Sequence, residues 1–252
     1  MNNPTVEDLL IVRPALIIGD RATSAEADRC ALLSDAFFSA KEAGMEVSPD
    51  LREAPQRFFD SLRAWRPQVA VSIESTYRRG LTKLAPTLDV KHLAAIQWSA
   101  VVSLALSNSF EQAVQTKLDS SATTRTQTLI SHPATGISPR TLPIFRLMGD
   151  PSSLQQANKL AISASDYAIR KQCWGDLLTQ FVDCAKSAIV VVLGIRETDA
   201  QLEDCLATML TLRGAIPNKF YFLEYPSGPT NPTLLGMLAG SCLLYTSPSP
   251  RD

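Results

Sequence analysis

The sequence predicts an α/β fold: a Rossmann-like, doubly wound and mostly parallel sheet with a helical insertion after the first strand. Short apolar runs rich in β-branched residues alternate along the chain with segments of helical periodicity, which is the pattern of βαβ units. Two of these runs end in a glycine, Gly19 and Gly194, where a Rossmann-like sheet receives a dinucleotide. Residues 24–96, between the first and second runs, have helical patterns only and form the predicted insertion.

The composition is typical of a globular protein rather than of a membrane or nucleic-acid-binding protein. With 252 residues, of which 45% are hydrophobic and 19% charged, the chain can bury a sizeable core. The net charge of -1 and the lack of a Lys/Arg stripe argue against binding to nucleic acid. No apolar run reaches the ~18–20 residues that span a bilayer. Glu7 and Asp8 stand where a signal peptide is positively charged, so we expect a cytoplasmic protein. Scattered cysteines without a Cys-x-x-Cys pair predict reduced thiols and no metal site.

The helices of the insertion follow from periodic apolar residues between polar or helix-breaking ends. Ser24 is the candidate N-cap of the first helix, and Gly44 ends it. Pro67 interrupts the pattern after the second helix, and Pro86 lies between two shorter ones. The predicted helices of the insertion cover residues 25–43, 51–65, 75–84 and 92–96.

Strands and helices alternate in the rest of the chain. Five apolar runs with β-branched or aromatic residues are expected to share one largely parallel sheet, at residues 15–18, 100–104, 142–147, 188–193 and 219–223. A further strand is predicted at residues 126–131 and a short extended piece at 160–163, with loops at 132–140 and 227–232. The helices between them are predicted at residues 107–118, at 166–184 and, after an N-cap at Asp199, up to residue 212.

One stretch joins a buried strand to a helix at the centre of the predicted sheet. Residues 98–111 read Trp-Ser-Ala-Val-Val-Ser-Leu-Ala-Leu-Ser-Asn-Ser-Phe-Glu: an apolar run, a polar break and a helix. The stretch resembles the segment W-x-A-I-x-T-T-N-Y-D-x-x-x-E of sirtuin-like domains, in which the Asn and the Asp serve the NAD site. The positions that fit this pattern are Trp98, Ala100, Val101, Ser103 and Glu111.

Three later segments resemble further sirtuin-like elements in the same order along the chain. Residues 142–150 resemble P-x-x-x-L-H-G-D/S, residues 163–167 resemble T-x-x-D-Y, and residues 192–199 resemble F-x-G-x-S-x-x-D. The relatives that the chain most resembles are the bacterial sirtuin-like domains of antiphage systems, which hydrolyse NAD. The resemblance implies a single sirtuin-like α/β domain over residues 8–241. The cofactor-binding positions that it implies are Gly19, Thr23, Gly149, Gly194 and Asp199.

The positions that would perform the family's chemistry are replaced. The Asn that holds the ribose and water is Ala105 here, the Asp is Ser107, and the His that acts as base is Met148. Neither alanine nor methionine accepts a proton, so the resemblance implies no catalytic residue in this chain. The two histidines, His92 and His132, lie outside every motif and are expected to be surface or loop residues.

The loop after the first strand also departs from the family. The family's G-A-G-x-S lets the backbone approach a pyrophosphate, whereas this chain reads Gly-Asp-Arg-Ala-Thr at residues 19–23. Asp20 brings a carboxylate towards the phosphates, and Arg21 replaces the second glycine. The simplest interpretation is a plain turn with a solvated Asp–Arg pair. We therefore expect NAD binding to be weak or absent.

These observations predict a catalytically inactive pseudoenzyme: a nucleotide-binding or interaction module of a bacterial defence-type protein. Its expected partner is another protein or a C-terminal domain, with no nucleic acid and no membrane involved. One alternative is an active NAD hydrolase that uses other residues. The loss of a general base typically costs ~10²–10⁴-fold in rate, which argues against this alternative. The other alternative is a scaffold whose function lies in a region beyond residue 241.

The last eleven residues have a different character from the rest. Residues 242–252 read Cys-Leu-Leu-Tyr-Thr-Ser-Pro-Ser-Pro-Arg-Asp, which looks like the translation of a transposase sequencing adapter. A natural Pro/Ser-rich tail is the alternative that composition allows. We expect an artefactual tail that contacts little of the fold, and a natural gene that continues past residue 241.

Overall fold

A computed structural model shows the α/β fold with a mostly parallel sheet that the sequence predicts, and every strand pair among the described residues is parallel. The structure describes residues 13–119, 126–130, 137–138, 141–153, 159–185, 189–194, 200–213, 219–223 and 243–246. The strands of these residues are β1 (Ala15–Ile18), β2 (Val101–Ser103), β3 (Thr126–Ile130), β4 (Thr141–Arg146), β5 (Ile189–Leu193), β6 (Lys219–Leu223) and β7 (Leu243–Thr246).

The order of the strands is that of a dinucleotide-binding sheet with one strand added. The seven strands lie in the order β3-β4-β2-β1-β5-β6-β7. When the edge strand β3 is left out and the other six strands are renumbered 1 to 6 along the chain, their order is 3-2-1-4-5-6, which is the Rossmann order. The five runs predicted to share one parallel sheet do so, and β5 lies inside it, between β1 and β6. The order reverses at β1, which pairs with β2 on one side and with β5 on the other, so ligands are expected at the carboxyl ends of these strands.

The predicted helical insertion follows β1, and three of its helices begin at a proline. Proline is suited to the first turn of a helix, because its φ is preset and its missing N–H is not needed there. Pro55 divides the predicted helix 51–65 into two, and Pro67 starts the next helix eight residues before the prediction. Ser24 is not the cap of the long second helix, whose N-cap is Ala25. The helices are α1 (Asp20–Thr23), α2 (Glu26–Glu42), α3 (Pro49–Glu53), α4 (Pro55–Trp65), α5 (Pro67–Lys83) and α6 (Leu88–Leu93).

The remaining helices cover the two faces of the sheet. The helix predicted at residues 166–184 is two helices, because the chain turns at Gln172 and Cys173. Asp199, the predicted N-cap of the last helix, lies outside the described residues. No helix in the described part of the chain is long and apolar enough to cross a membrane. The helices are α7 (Ser109–Asp119), α8 (Ala164–Lys171), α9 (Trp174–Cys184) and α10 (Ala200–Arg213).

Three buried apolar clusters hold the fold together, and the third packs the insertion on the segment that follows β4. Alternate residues of each strand point to opposite faces of the sheet. Ile17, Val102 and Phe145 pack with α9 and α10, whereas Leu16 and Val101 pack with α6 and α7. The third cluster lies within the insertion and includes two residues that follow β4. Its buried side chains include Phe58, Phe59, Leu62, Tyr77 and Leu81, and the two residues that follow β4 are Leu160 and Ile162.

The strand β7 differs from the expectation that residues 242–252 contact little of the fold. The backbone of Leu243–Thr246 pairs with β6 in parallel and extends the sheet by one strand. The main-chain groups of an open sheet edge can pair with an extended segment whatever its side chains are. The pairing is therefore compatible with both proposed origins of the segment, which stay predictions.

We predict that Phe58→Ala destabilises the protein by about 3–5 kcal/mol, because it leaves a cavity where a fully buried ring packed. The ring of Phe58 lies 4.7 Å from that of Phe37 and 5.1 Å from that of Phe59, measured between centroids. Phe38→Ala is the matched control, since Phe38 is 61% exposed, and should change the free energy by no more than about 0.5 kcal/mol. Urea unfolding measures both, and equal losses would contradict the assigned core.

Candidate functional site

The loops that follow β1, β2, β4 and β5 meet at one edge of the sheet. Gly19 donates its N–H to Leu193 O at 3.0 Å, and Leu104 donates its N–H to Ile18 O at 2.8 Å. These bonds continue the parallel ladder past the strand ends, so the loops leave the sheet at a common level. The sequence-predicted positions that follow these strands are Gly19, Thr23, Ala105, Ser107, Met148, Gly149 and Gly194, whereas Asp199 lies outside the described residues.

The end of β5 is in backbone contact with α1. Gly194 has a φ of 69°, a backbone conformation that residues with a side chain rarely adopt. A Cβ atom on Gly194 would lie 2.2 Å from Ala22 Cβ and 2.3 Å from Ala22 N. Glycine is therefore required here for close packing of one loop on another. The space between the ends of β1 and β5 is occupied by the chain's own backbone.

The carboxylate of Asp20 ties the loop after β1 to the loop after β2. Its Oδ1 accepts the N–H of Leu106 at 2.9 Å, and its main-chain oxygen accepts from Arg29 Nη1 at 2.6 Å. Burial raises the pKa of Asp20, although Arg29 and the N–H groups of Leu106 and Ser107 partly offset this effect. This corrects the expected plain turn with a solvated Asp–Arg pair. The turn is the helix α1, and the carboxylate is held by a distant loop.

Thr23 and Ser107 belong to a buried chain of hydroxyl groups. Thr23 Oγ1 lies 3.2 Å from Ser107 Oγ and donates to Asp20 O at 3.0 Å. Ser109 Oγ lies 3.3 Å from Ser107 Oγ and donates to Leu84 O at 2.9 Å. The three hydroxyl-bearing residues are 0% exposed. Thr23, a position implied to bind the cofactor, thus directs its hydroxyl into the protein.

A buried arginine at the end of β4 fixes the loop after β2 from within. Arg146 is 1% exposed, and its guanidinium forms an ion pair with Glu111 of α7. A charge inside an apolar strand is stable only when it is paired and hydrogen-bonded. The isolated arginine in the apolar run 142–147 was therefore a signal that sequence analysis could have used. The guanidinium also donates to the main-chain oxygens of Ala105, Leu106, Ser107 and Gly149, at 2.8 to 3.3 Å.

The side chains of Ala105 and Met148 do not line an open crevice. Each side chain is 1% exposed, and both are packed into the protein. Met148 lies in the same apolar cluster as Trp174, and its main-chain oxygen accepts the N–H of Ala161 at 2.8 Å. Gly149 follows with a φ of 86°, which explains a glycine at this turn. Ala105 and Met148 therefore contribute to packing.

A second polar cluster joins the insertion to α8. Arg63 of α4 forms a two-point ion pair with Glu74 and also bonds Asp166 Oδ2 at 2.7 Å and Ser163 Oγ at 2.8 Å. Ser163 caps α8 by accepting the N–H of Asp166. Burial raises the pKa of Asp166, but the hydrogen bonds from Arg63 and Lys159 outweigh this and hold it below its usual value. The T-x-x-D-Y element therefore anchors the insertion.

Comparison with known proteins adds no family or relative. No protein-family model matches the chain, and no curated protein matches its sequence. Among the residues that the structure describes, no group of three or more His, Cys, Asp or Glu side chains could hold a metal ion.

We predict that Gly194→Ala is more destabilising than Gly44→Ala, although both glycines have a positive φ. Gly44 has no atom within 4 Å of the position of a new Cβ, so its substitution costs only the conformational strain of about 1–2 kcal/mol. Gly194→Ala adds a clash with the backbone of Ala22, which side-chain rotation cannot relieve. Urea unfolding of the two variants measures the difference. Equal losses would show that the contact with α1 is absent.

We predict that Asp20→Asn becomes more stable, relative to the wild type, as the pH rises from acid to neutral. The pKa of Asp20 is raised above 3.8 in the folded state, so the wild type loses stability as the carboxyl ionises. Asparagine keeps an acceptor for Leu106 but does not ionise. Unfolding free energies between pH ~4 and ~7 measure the difference, in which titration of the other shared groups cancels. A difference that does not change over this range would contradict the assignment.

Asp20→Ala is the companion variant, because it removes the acceptor as well as the charge. It leaves the N–H of Leu106 without its partner, so Asp20→Ala should be less stable than Asp20→Asn by about 1–3 kcal/mol at every pH in the range. If Asp20→Ala is as stable as Asp20→Asn, the hydrogen bond to Leu106 does not hold the loop.

Proposed function

We propose that this chain is a sirtuin-like domain that does not hydrolyse NAD and acts as an interaction module for a protein partner. The observation that carries the proposal is the bond from Leu106 N–H to the Asp20 carboxylate. A main-chain donor at the carboxyl edge of a Rossmann sheet is the kind of group that binds a nucleotide's oxygens. Here that donor is bonded to the chain's own carboxylate. The partner and the defence context are inferred from the sequence resemblance.

The lack of hydrolysis is supported by the groups available for catalysis. Cleavage of the bond between nicotinamide and ribose requires polar groups that orient the ribose and a base that accepts a hydroxyl proton. Ala105 and Met148 supply neither, and their side chains are buried. Ser107 could donate a hydroxyl, but that hydroxyl lies in the buried chain with Thr23. Asp20 is the nearby carboxylate, and its Oδ1 is occupied by Leu106.

Weak or absent NAD binding is supported by charge and by close packing. A pyrophosphate beside Asp20 would place its oxygens against another hydrogen-bond acceptor and, when the carboxyl is ionised, against a like charge, which disfavours binding. Arg29 Nη1 is not available to a pyrophosphate, because it donates to the main-chain oxygens of Asp20 and Ser24. The contact between Gly194 and Ala22 also fills the space that a dinucleotide would need between β1 and β5.

We predict that the purified chain shows no turnover of NAD above that of buffer, and weak or no binding of NAD by calorimetry. The reason is the absence of a base at position 148 and of an amide at position 105. Nicotinamide release is measured across the fractions of a gel-filtration peak, with an active NAD hydrolase as the positive control. Activity that follows the protein peak would refute the proposal, whereas activity in other fractions identifies a contaminant.

A further inference from the structure

A groove lies between α2 and α5 at the surface of the insertion. Its floor is apolar and includes Leu32, Ala36 and Ile73, which pack in or against the buried cluster of the insertion. The groove has a volume of about 140 Å³. An engineered protein cavity of about 150 Å³ holds one benzene molecule. The groove therefore has room for one apolar side chain.

The rim of the groove is polar and exposed, and only the side that α2 forms is charged. The helix α5 contributes the uncharged Ser72 and Thr76, whereas α2 contributes Asp35. Phe38 lies three residues after Asp35, so the two side chains are neighbours on the surface of the helix. The ring of Phe38 is exposed. Exposed aromatic rings are enriched where one protein binds another.

Asp35 is the middle residue of an acidic stripe along α2, which consists of Asp28, Asp35 and Glu42. These residues are two helical turns or ~10.5 Å apart and therefore lie on one side of the helix. All three are exposed. None of the three carboxylates forms a salt bridge with another residue that the structure describes. Their charges are therefore available to cations of a partner.

The cations at the C-terminal end of α5 do not neutralise the groove. A Cβ atom on Gly80 of α5 would lie 2.4 Å from Leu32 Cδ2, so the two helices are in close contact there. Arg79 and Lys83 lie at or beyond this contact, and Arg79 Nε donates to the main-chain oxygen of Ser75. Among the described residues, no arginine or lysine lines the groove. The groove therefore combines an apolar floor with a negative charge.

We propose that this groove binds an amphipathic helix of a partner protein, with one apolar side chain on the floor and basic side chains along the acidic stripe. The inference rests on the proposed function, which gives the chain a protein partner, and it names the chemistry of that partner. Two helices that pack nearly parallel or antiparallel keep residues spaced by seven in register. Arginine or lysine at every seventh position of the partner helix therefore reaches the stripe. The floor favours the apolar anchor, and the stripe selects the sign of the partner's charge.

Binding of synthetic peptides to the full chain, followed by fluorescence anisotropy, tests the charge of the partner. The probe is an amphipathic peptide of about 18 residues with leucines on one face and arginine at every seventh position. The control peptide has glutamate in place of each arginine. Asp35→Lys should weaken binding of the arginine peptide about fivefold and strengthen binding of the glutamate peptide. Asp176→Lys is the matched control, because it makes the same change of charge at an exposed residue of α9, which packs on the sheet.

Thr76→Trp tests the apolar part of the site. Thr76 is exposed at the rim, so a large ring at this position can fill the groove without entering the core. Binding of the arginine peptide should fall by about tenfold or more, because the anchor side chain loses its place. Urea unfolding verifies that the variant is folded.

The expected result is binding of the arginine peptide that Asp35→Lys and Thr76→Trp weaken and Asp176→Lys does not. No binding by the wild type would overturn the proposal, and so would unchanged binding by Thr76→Trp or equal weakening by the two lysine variants. A dimer in analytical ultracentrifugation that Thr76→Trp dissociates would make a second copy of the chain the occupant and would also overturn it. Failure of peptide binding would leave the absence of NAD turnover, which tests the proposed function, unaffected.

Discussion

The buried guanidinium of Arg146 determines the shape of the carboxyl edge of this sheet. Burial of a charge is unfavourable unless an opposite charge and hydrogen bonds compensate it, and here Glu111 and four main-chain oxygens do so. Three of those oxygens belong to the loop after β2, residues 105–107. A buried loop would otherwise leave these carbonyl groups unsatisfied. Arginine and loop therefore stabilise each other, and neither arrangement is favourable without the other.

The orientation of that loop accounts for the rest of the candidate site. With its carbonyl groups bonded to Arg146, the loop directs the N–H of Leu106 to Asp20. Asp20 begins α1, so this bond holds α1 against the end of β5, where Gly194 leaves room for Ala22. The strand ends at which a Rossmann sheet receives a ligand are thus joined by contacts within the chain. Any ligand of this edge has to replace such a contact or bind beside it.

Local sequence patterns predict the strands of this fold well and its loops poorly. The valines of β2 and β5 favour strands through their own side chains, so their neighbours in sequence suffice. Pro55 is a local signal for the end of a helix, because the residue before a proline disfavours the helical conformation. The prediction of one helix over residues 51–65 missed it. The bond from Leu106 to Asp20 spans 86 residues. A contact between residues so far apart leaves no periodic pattern in the sequence. This contact nevertheless determines whether the N–H of Leu106 is free to bind a ligand.

Three residues of the sequence motifs have structural roles in this fold. Trp98 donates its Nε1–H to Leu93 O at 2.8 Å. Glu111 forms an ion pair with Arg146, and Asp166 forms one with Arg63. Each bond fixes one element on another, and none requires a ligand. The positions that would carry chemistry, Ala105 and Met148, are buried in the protein. A sequence pattern of this kind is therefore stronger evidence for the fold than for a reaction.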